Sequence, residues 1–98
     1  MSERTEPATF DESDWQELTA ADKKAIKILN QYGFGNIRPE PLARAVGVGQ
    51  RSIDALIKKG LAVEDAPGLH GRYFKLTDKG VLATCWINGS RVRVYPQE

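Results

Sequence analysis

The sequence predicts a single small domain that is mainly α-helical and carries one β-hairpin. Apolar residues recur at helical spacing in four stretches, each of which begins or ends at a capping or helix-stopping residue. Between residues 61 and 76, two short runs instead alternate with period two around a segment that contains Gly and Pro. The 98 residues have room for one hydrophobic core but not for two. We therefore expect a three-helix core, a small β element of two to three strands and a C-terminal helix.

The composition is typical of a globular domain, with 41% hydrophobic and 28% charged residues. No apolar stretch approaches the roughly 20 residues that a transmembrane helix needs. The N-terminal stretch lacks the basic and apolar segments of a secretory signal, and the single cysteine, Cys85, excludes an intramolecular disulfide. We expect a cytoplasmic protein that does not associate with membranes.

Charge is distributed unevenly along the chain. Residues 1–18 contain one Arg and six acidic residues, whereas residues 19–98 contain 13 Lys and Arg against seven acidic residues. Residues 1–14 have little apolar surface and are predicted to form a disordered acidic arm. Phe10, within the arm, and Trp15, just after it, could dock locally. The arm is either an inert tail or a shield for the basic remainder of the chain. The carboxylates in question are those of Glu3, Glu6, Asp11, Glu12, Asp14 and Glu17.

The first helix is predicted to begin after Thr19. This residue is a suitable N-cap, Asp22 is placed as its capping-box partner, and Gly33 is a suitable stop. The side chains expected in the core are Leu18, Ala21, Ala25, Ile28, Leu29 and Tyr32.

A short strand at residues 36–38 and a second helix are predicted next. Arg38 precedes Pro39 and is therefore biased toward extended backbone. Pro39 and Pro41 both fit the first turn of a helix, where a missing N–H costs little. That helix is expected to end at Gly47, and its apolar positions are Leu42, Ala43 and Val46.

The third helix is predicted to begin at Gln50 and to end at Lys59, before Gly60. Only a short turn that contains Gly47 separates it from the second helix, which is the helix-turn-helix arrangement. Its apolar face, Ile53, Leu56 and Ile57, must point into the core. The side chains left on the outside are Gln50, Arg51, Asp54 and Lys58.

A hairpin follows the third helix, with strands predicted at residues 61–64 and 72–76 and a flexible tip at 66–71. Along the second strand, Phe74 and Leu76 are expected in the core, and Arg72 shares their face.

A fourth helix and an extended segment complete the chain. Thr77 is the predicted N-cap of the helix, whose apolar stripe is Val81, Leu82, Cys85 and Trp86. Residues 88–98 are predicted to be extended. Within them, residues 91–95 could form a strand that pairs either with the hairpin or with a second copy of the chain.

Several spaced groups between residues 42 and 82 occur in a recognisable order: Leu42-Ala43, Val46-Gly47-Val48, Ser52-Ile53, Leu56, Lys59-Gly60-Leu61 and Leu76-Thr77-Asp78-Lys79-Gly80. With these groups the chain resembles the winged helix-turn-helix regulators of prokaryotes, in particular MarR-like proteins and short phage or bacterial transcriptional regulators. The predicted domain covers residues 15–87. It lacks the long flanking helices through which MarR-like proteins dimerise, and its third helix is about one turn shorter than is usual in them.

The resemblance implies a small transcriptional regulator that binds double-stranded DNA sequence-specifically, with the third helix in the major groove and the wing near the minor groove. Gln50 is suited to adenine and Arg51 to guanine, because each side chain can form two hydrogen bonds to that base. Asp54 could read cytosine, although an i,i+4 pair with Lys58 is the commoner arrangement. Arg72 is either a minor-groove contact at the wing or a solvated charge. The other candidates for phosphate contacts are Arg38, Arg44, Lys58, Lys59 and Lys75.

Other functions are weighed against DNA binding. A winged helix can instead be a protein-interaction module, an alternative that the formal net charge of +1 favours. No group of residues has the spacing of a catalytic or cofactor site, so we predict neither an enzyme nor a bound cofactor. His70 is the only histidine, so no metal site is predicted, and Cys85 is expected to be a buried structural thiol. The expected partner is duplex DNA, and the sequence leaves open a homodimer.

Overall fold

The computed structural model describes residues 8–95, which form a small α+β domain with one hydrophobic core. Its three-stranded antiparallel sheet has the strand order β1-β3-β2. Within the described residues no helix combines the length and apolar character needed to cross a membrane. The elements in chain order are α1 (Glu12–Glu17), α2 (Ala20–Gln31), β1 (Glu40–Pro41), a single 3-10 turn (Leu42–Arg44), α3 (Gln50–Lys58), β2 (Ala62–Gly68), β3 (Gly71–Leu76) and α4 (Asp78–Ile87).

Helix α2 has the predicted bounds but a different buried face. Thr19 and Asp22 form the expected capping box, with each side chain accepting a hydrogen bond from the other residue's backbone N–H at 3.0 Å. Ile26, which the predicted face omitted, is fully buried, whereas Ala21 and Tyr32 are exposed. The face is therefore rotated from the predicted one, because α2 packs against both α3 and α4 and not against α3 alone.

The predicted second helix is wrong. Pro41 lies in the two-residue strand β1, opposite Tyr73 of β3, and only one 3-10 turn follows before the chain turns at Gly47. Pro41 is itself extended, at φ −69° and ψ 140°, and Gly47 turns the chain at φ +101°, so the residues between them have room for little more than one helical turn. As a result Val46 is 70% exposed, and the strand expected at residues 36–38 lies at 40–41 instead.

Helix α3 and its packing agree with the sequence prediction. Ile53 and Leu56 are buried, Ile57 is partly buried, and Gly60 ends the helix in the left-handed region at φ +79°. The N-cap, Gly49, has no side chain to accept a hydrogen bond from the first turn.

The hairpin is longer than predicted. Gly68 pairs with Gly71, so the expected six-residue tip is reduced to Leu69 and His70, with an irregularity between Asp65 and Gly68. Phe74, at the centre of β3, is fully buried, as predicted.

Helix α4 begins after Thr77, which also fastens the hairpin to the end of α3. The Thr77 Oγ1 accepts a hydrogen bond from the Gly80 N–H at 3.1 Å and donates one to the Gly60 carbonyl at 2.6 Å, and the Thr77 N–H donates to the Leu61 carbonyl at 3.0 Å. Gly80 lies so close to the Leu61 carbonyl that a Cβ atom would not fit. Cys85 is only partly buried, so the expectation of a buried thiol is wrong.

The N-terminal segment is part of the core. Phe10 is fully buried and packs edge-on against Trp86, with ring centroids 5.1 Å apart, and α1 has its own capping box between Asp11 and Asp14. Residues 8–14 are thus ordered, contrary to the predicted disordered arm, whose residues 1–7 lie outside the described residues.

The C-terminal segment pairs with this N-terminal segment. The Phe10 N–H donates to the Arg93 carbonyl and the Tyr95 N–H donates to the Ala8 carbonyl, both at 2.9 Å. Residues 91–95 therefore pair with the N-terminal segment and not with the hairpin, while pairing with a second copy stays a prediction. The domain extends beyond the predicted bounds of 15–87 on both sides. A homodimer likewise stays a prediction.

Candidate nucleic-acid interface

The outer face of α3 is exposed, as the helical spacing of the sequence predicts. Burial of Ile53 and Leu56 turns the opposite side of the helix toward solvent. Arg51 and Lys58 are seven residues apart, so they lie on nearly one line, about 10 Å apart along the helix axis. The outer face comprises Gln50, Arg51, Asp54 and Lys58, all exposed.

Along one side of this face, Arg72 of β3 forms a hydrogen-bonded network with α3 and β2. Its Nη1 donates to the Gln50 Oε1 at 3.0 Å, and its Nη2 donates to the Asp54 Oδ1 at 3.0 Å. Its Nε and Nη2 also donate to the two carboxylate oxygens of Glu64 at 3.1 and 2.9 Å. We call Arg72, Gln50, Asp54 and Glu64 the Arg72 network. It joins the N-terminal half of α3 to both strands of the hairpin.

The surroundings of Arg72 fix its side chain and pair its charge with two carboxylates. The guanidinium carbon lies 4.9 Å from the centroid of the buried Phe74 ring, in cation–π geometry. Hydrogen bonds to Glu64 and then to Asp54 raise the pKa of Arg72 above its ordinary value, and the same contact with Arg72 lowers the pKa of Glu64. Arg72 is therefore not a simple solvated charge, and four of its donors are engaged by protein groups, while a minor-groove contact at the wing stays a prediction.

Arg51 and Lys58 differ from Arg72 in having no ion-pair partner among residues 8–95. The expected i,i+4 pair between Asp54 and Lys58 is wrong, because Asp54 faces Arg72 across the gap to the hairpin. The positive charge of the outer face is consequently concentrated on Arg51 and Lys58.

The other predicted phosphate contacts are dispersed over the surface. Lys59 Nζ forms an ion pair with the buried Asp22 and donates to the Glu17 carbonyl at 3.1 Å, while Arg44 pairs with Glu40 at 2.9 Å. Lys75 lies on the face of β3 opposite Phe74, away from α3, because side chains alternate along a strand. Arg38 is exposed just before β1, the edge strand opposite β2 in the sheet.

Glu64 is the member of the Arg72 network that sequence reasoning missed. It pairs with Phe74 in the hairpin register, which places its side chain on the face that Arg72 shares. The alternation of side chains along β2 places Ala62 and Glu64 on the same face, but only the register with β3 shows that Glu64 lies near Arg72.

The acidic residues near the N-terminus have other partners. Glu12 pairs with Arg91 and Asp14 with Lys79, both at 3.2 Å, and Asp11 caps α1. Burial opposes ionisation of Asp14, but its hydrogen bonds with Asp11 and Lys79 outweigh burial and lower its pKa. These carboxylates tie α1 to α4 and to the C-terminal segment. None of these three carboxylates pairs with α3, but Glu3 and Glu6 of the expected shield lie outside the described residues, so the shield stays a prediction.

An open groove lies between the 3-10 turn, the start of α3 and the hairpin tip. Most of its lining residues are apolar or glycine, and Leu69, next in sequence to the lining residue His70, is 94% exposed. The groove is lined by Leu42, Ala43, Ala45, Val48, Gly49, Gln50, His70, Gly71 and Arg72.

Comparisons with family models, with curated proteins and with solved structures found no match to this chain.

Proposed function

We propose that this chain is a winged helix-turn-helix domain that binds double-stranded DNA through α3. The element order α2, β1, 3-10 turn, α3, β2, β3 and the sheet order β1-β3-β2 support this assignment. In this interpretation the 3-10 turn takes the place of the second helix, and the β2-β3 hairpin is the wing. An α-helix is about 10–12 Å across with its side chains, so it fits a major groove about 12 Å wide, and the nine residues of α3 give it a length of about 13 Å there.

The outer face of α3 carries the proposal. Arg51 and Lys58 are exposed and have no ion-pair partner within residues 8–95, so neither loses a protein contact when it meets DNA. Arg51, in the first turn, is placed to donate two hydrogen bonds to a guanine. Lys58, two turns later, is placed to contact the phosphate backbone. The Arg72 network holds the hairpin beside the helix and leaves the groove contacts to α3.

The proposal is tested by fluorescence anisotropy of a labelled duplex at several salt concentrations. We expect affinity to fall with salt, by about one log–log unit for each phosphate that is neutralised, and about two to four such contacts from a face of this size. Arg51→Gln should weaken binding about tenfold or more.

Lys75→Gln is the matched control, since it removes the same charge from the side of the hairpin that faces away from α3. It should leave affinity nearly unchanged. Failure of the wild-type chain to bind duplex at low salt, or equal losses for Arg51→Gln and Lys75→Gln, would overturn the proposal.

The apolar groove favours a second candidate function, a protein-interaction module. Leu69 and Val46, each next in sequence to a residue that lines the groove, are exposed at 94% and 70%. The lining itself includes Leu42 and Val48, which suits an apolar side chain of a partner. In that case Leu69→Ser should abolish association with the partner, Arg51→Gln should not, and the chain should not bind duplex DNA.

A further inference from the structure

The side-chain amide of Gln50 has a fixed orientation. A guanidinium can donate hydrogen bonds but cannot accept them, so the atom of Gln50 that meets Arg72 Nη1 at 3.0 Å must be the oxygen. The oxygen therefore points toward the hairpin, and the NH₂ group, with its two donors, is left for the outside.

Arg72 is itself held in place from several directions. Glu64 receives two of its hydrogen bonds, Asp54 receives one, and the Phe74 ring lies beneath the guanidinium carbon. Together with the bond to Gln50, these contacts occupy four of the five N–H donors of the arginine. A second strand, β2, thus fixes the group that orients a side chain on α3.

We infer that Arg72 is a positioning residue for base recognition, which rests on the proposed function. By holding the Gln50 oxygen toward the hairpin, it makes Gln50 present donors only, so the base that faces Gln50 is read through its acceptors. In the major groove, guanine offers two adjacent acceptors, N7 and O6, whereas adenine pairs an acceptor with a donor. Gln50 consequently selects guanine over adenine, the reverse of the preference that the residue type alone suggests.

The same geometry limits Arg72. With one N–H left, it cannot read a guanine with two hydrogen bonds unless it releases Gln50, Glu64 or Asp54. Its contribution to specificity therefore passes through Gln50 and does not require contact between Arg72 and a base.

Selection of bound duplexes from a random pool tests this inference. Wild type, Gln50→Ala, Arg72→Met and Lys75→Met are compared, after circular dichroism has shown that each is folded. The position at which Gln50→Ala loses its base preference identifies the base that Gln50 faces. At that position we expect guanine in the wild type, favoured over adenine by about tenfold, since a good base contact contributes about 1–3 kcal/mol.

In Arg72→Met the amide is free to rotate, so the ratio of guanine to adenine at that one position should fall to about one or reverse. Arg72→Lys, which keeps the charge but cannot hold all three partners in the same geometry, should give the same result. Lys75→Met, with the same loss of charge on the other face of β3, should keep the guanine preference.

Three results overturn the inference while the proposed function stands: adenine preferred by the wild type, no position affected by Gln50→Ala, or an unchanged ratio in Arg72→Met. Absence of duplex binding by the wild type overturns both.

Discussion

Helix α3 is held at its two ends by ionic contacts that differ in burial. At its C-terminal end, Lys59 pairs with Asp22, which is 4% exposed, and donates to the Glu17 carbonyl. At its N-terminal end, Arg72 bridges Glu64 and Asp54, whose side chains are 37% and 58% exposed.

The difference in burial separates a contact on which the fold depends from contacts that contribute little to stability. Water cannot restore the lost interaction when a buried carboxylate loses its cation, whereas exposed charges are hydrated again at little cost. The Lys59–Asp22 pair therefore serves the fold, whereas the exposed Arg72 network can be altered with little loss of stability. Residue type alone does not make this distinction, since Lys59 and Lys58 are neighbours with opposite roles.

The largest effect is expected when the buried end is broken. Asp22→Ala removes the partner of Lys59 and half of the α2 capping box, so it should lower the free energy of unfolding by about 3 kcal/mol. Urea denaturation followed by circular dichroism measures this change. Asp54→Ala, the corresponding deletion at the exposed end, should change stability by little more than the error of the measurement; equal losses for the two variants would contradict the comparison.

A second prediction separates folding from binding. Lys59→Met leaves Asp22 buried without its cation, so it should destabilise the domain while duplex affinity of the folded protein stays nearly unchanged. Arg51→Gln should do the opposite, with an affinity loss equivalent to about 1–3 kcal/mol and unchanged stability. Thermal melting gives the stability of each variant. Anisotropy, measured below both melting temperatures, gives the duplex affinity of each folded variant. Loss of affinity in Lys59→Met would assign that lysine to the interface after all.

The pH dependence of stability follows from Asp22. Burial would raise the pKa of this carboxyl, but its hydrogen bonds with Lys59 and Thr19 outweigh burial and lower the pKa below 3.8. A carboxyl whose pKa is lower in the folded state stabilises the fold above its unfolded-state pKa of about 3.9, and this contribution is lost as the pH falls through the folded-state value. Stability should therefore decline below about pH 4. Asp22→Asn should flatten that part of the curve in urea titrations between pH 2 and 6; an unchanged slope would rule out the assignment to Asp22.

The smallest expected effect concerns Lys58. Lys58→Gln removes one phosphate contact, so it should reduce the salt slope of duplex binding by about one unit and leave base preference unchanged. Anisotropy across a salt series measures the slope. A change in the selected sequence, with the slope intact, would assign Lys58 to a base instead.

Local signals predicted much of this fold. The capping box at Thr19, the stop at Gly60, the inward face of α3 and the alternation along β3 depend on neighbours in sequence, and the structure confirms each of them. Apart from the second helix, which Pro41 and Gly47 limit to a single turn, the failures share one cause, contacts between residues that are distant along the chain. Phe10 belongs to the core only because Trp86 and the segment around Arg93 meet it there.

The site divides in the same way. Helical spacing alone predicted that Gln50, Arg51, Asp54 and Lys58 face outward, and they do. Helical spacing could not predict that Arg72 forms hydrogen bonds with Gln50 and Asp54, because these contacts depend on the hairpin register and on how the hairpin packs beside α3. Likewise, Lys59 differs from Lys58 only through the approach of α2.

The most direct test of DNA binding by the outer face of α3 is an NMR titration of the ¹⁵N-labelled chain with a short duplex. The account predicts that the backbone amides of residues 49–58 and the side-chain amide of Gln50 shift most, while those around Asp22 and Lys59 stay in place. Shifts centred on the exposed lysines of α2, or no shifts at all at low salt, would contradict it.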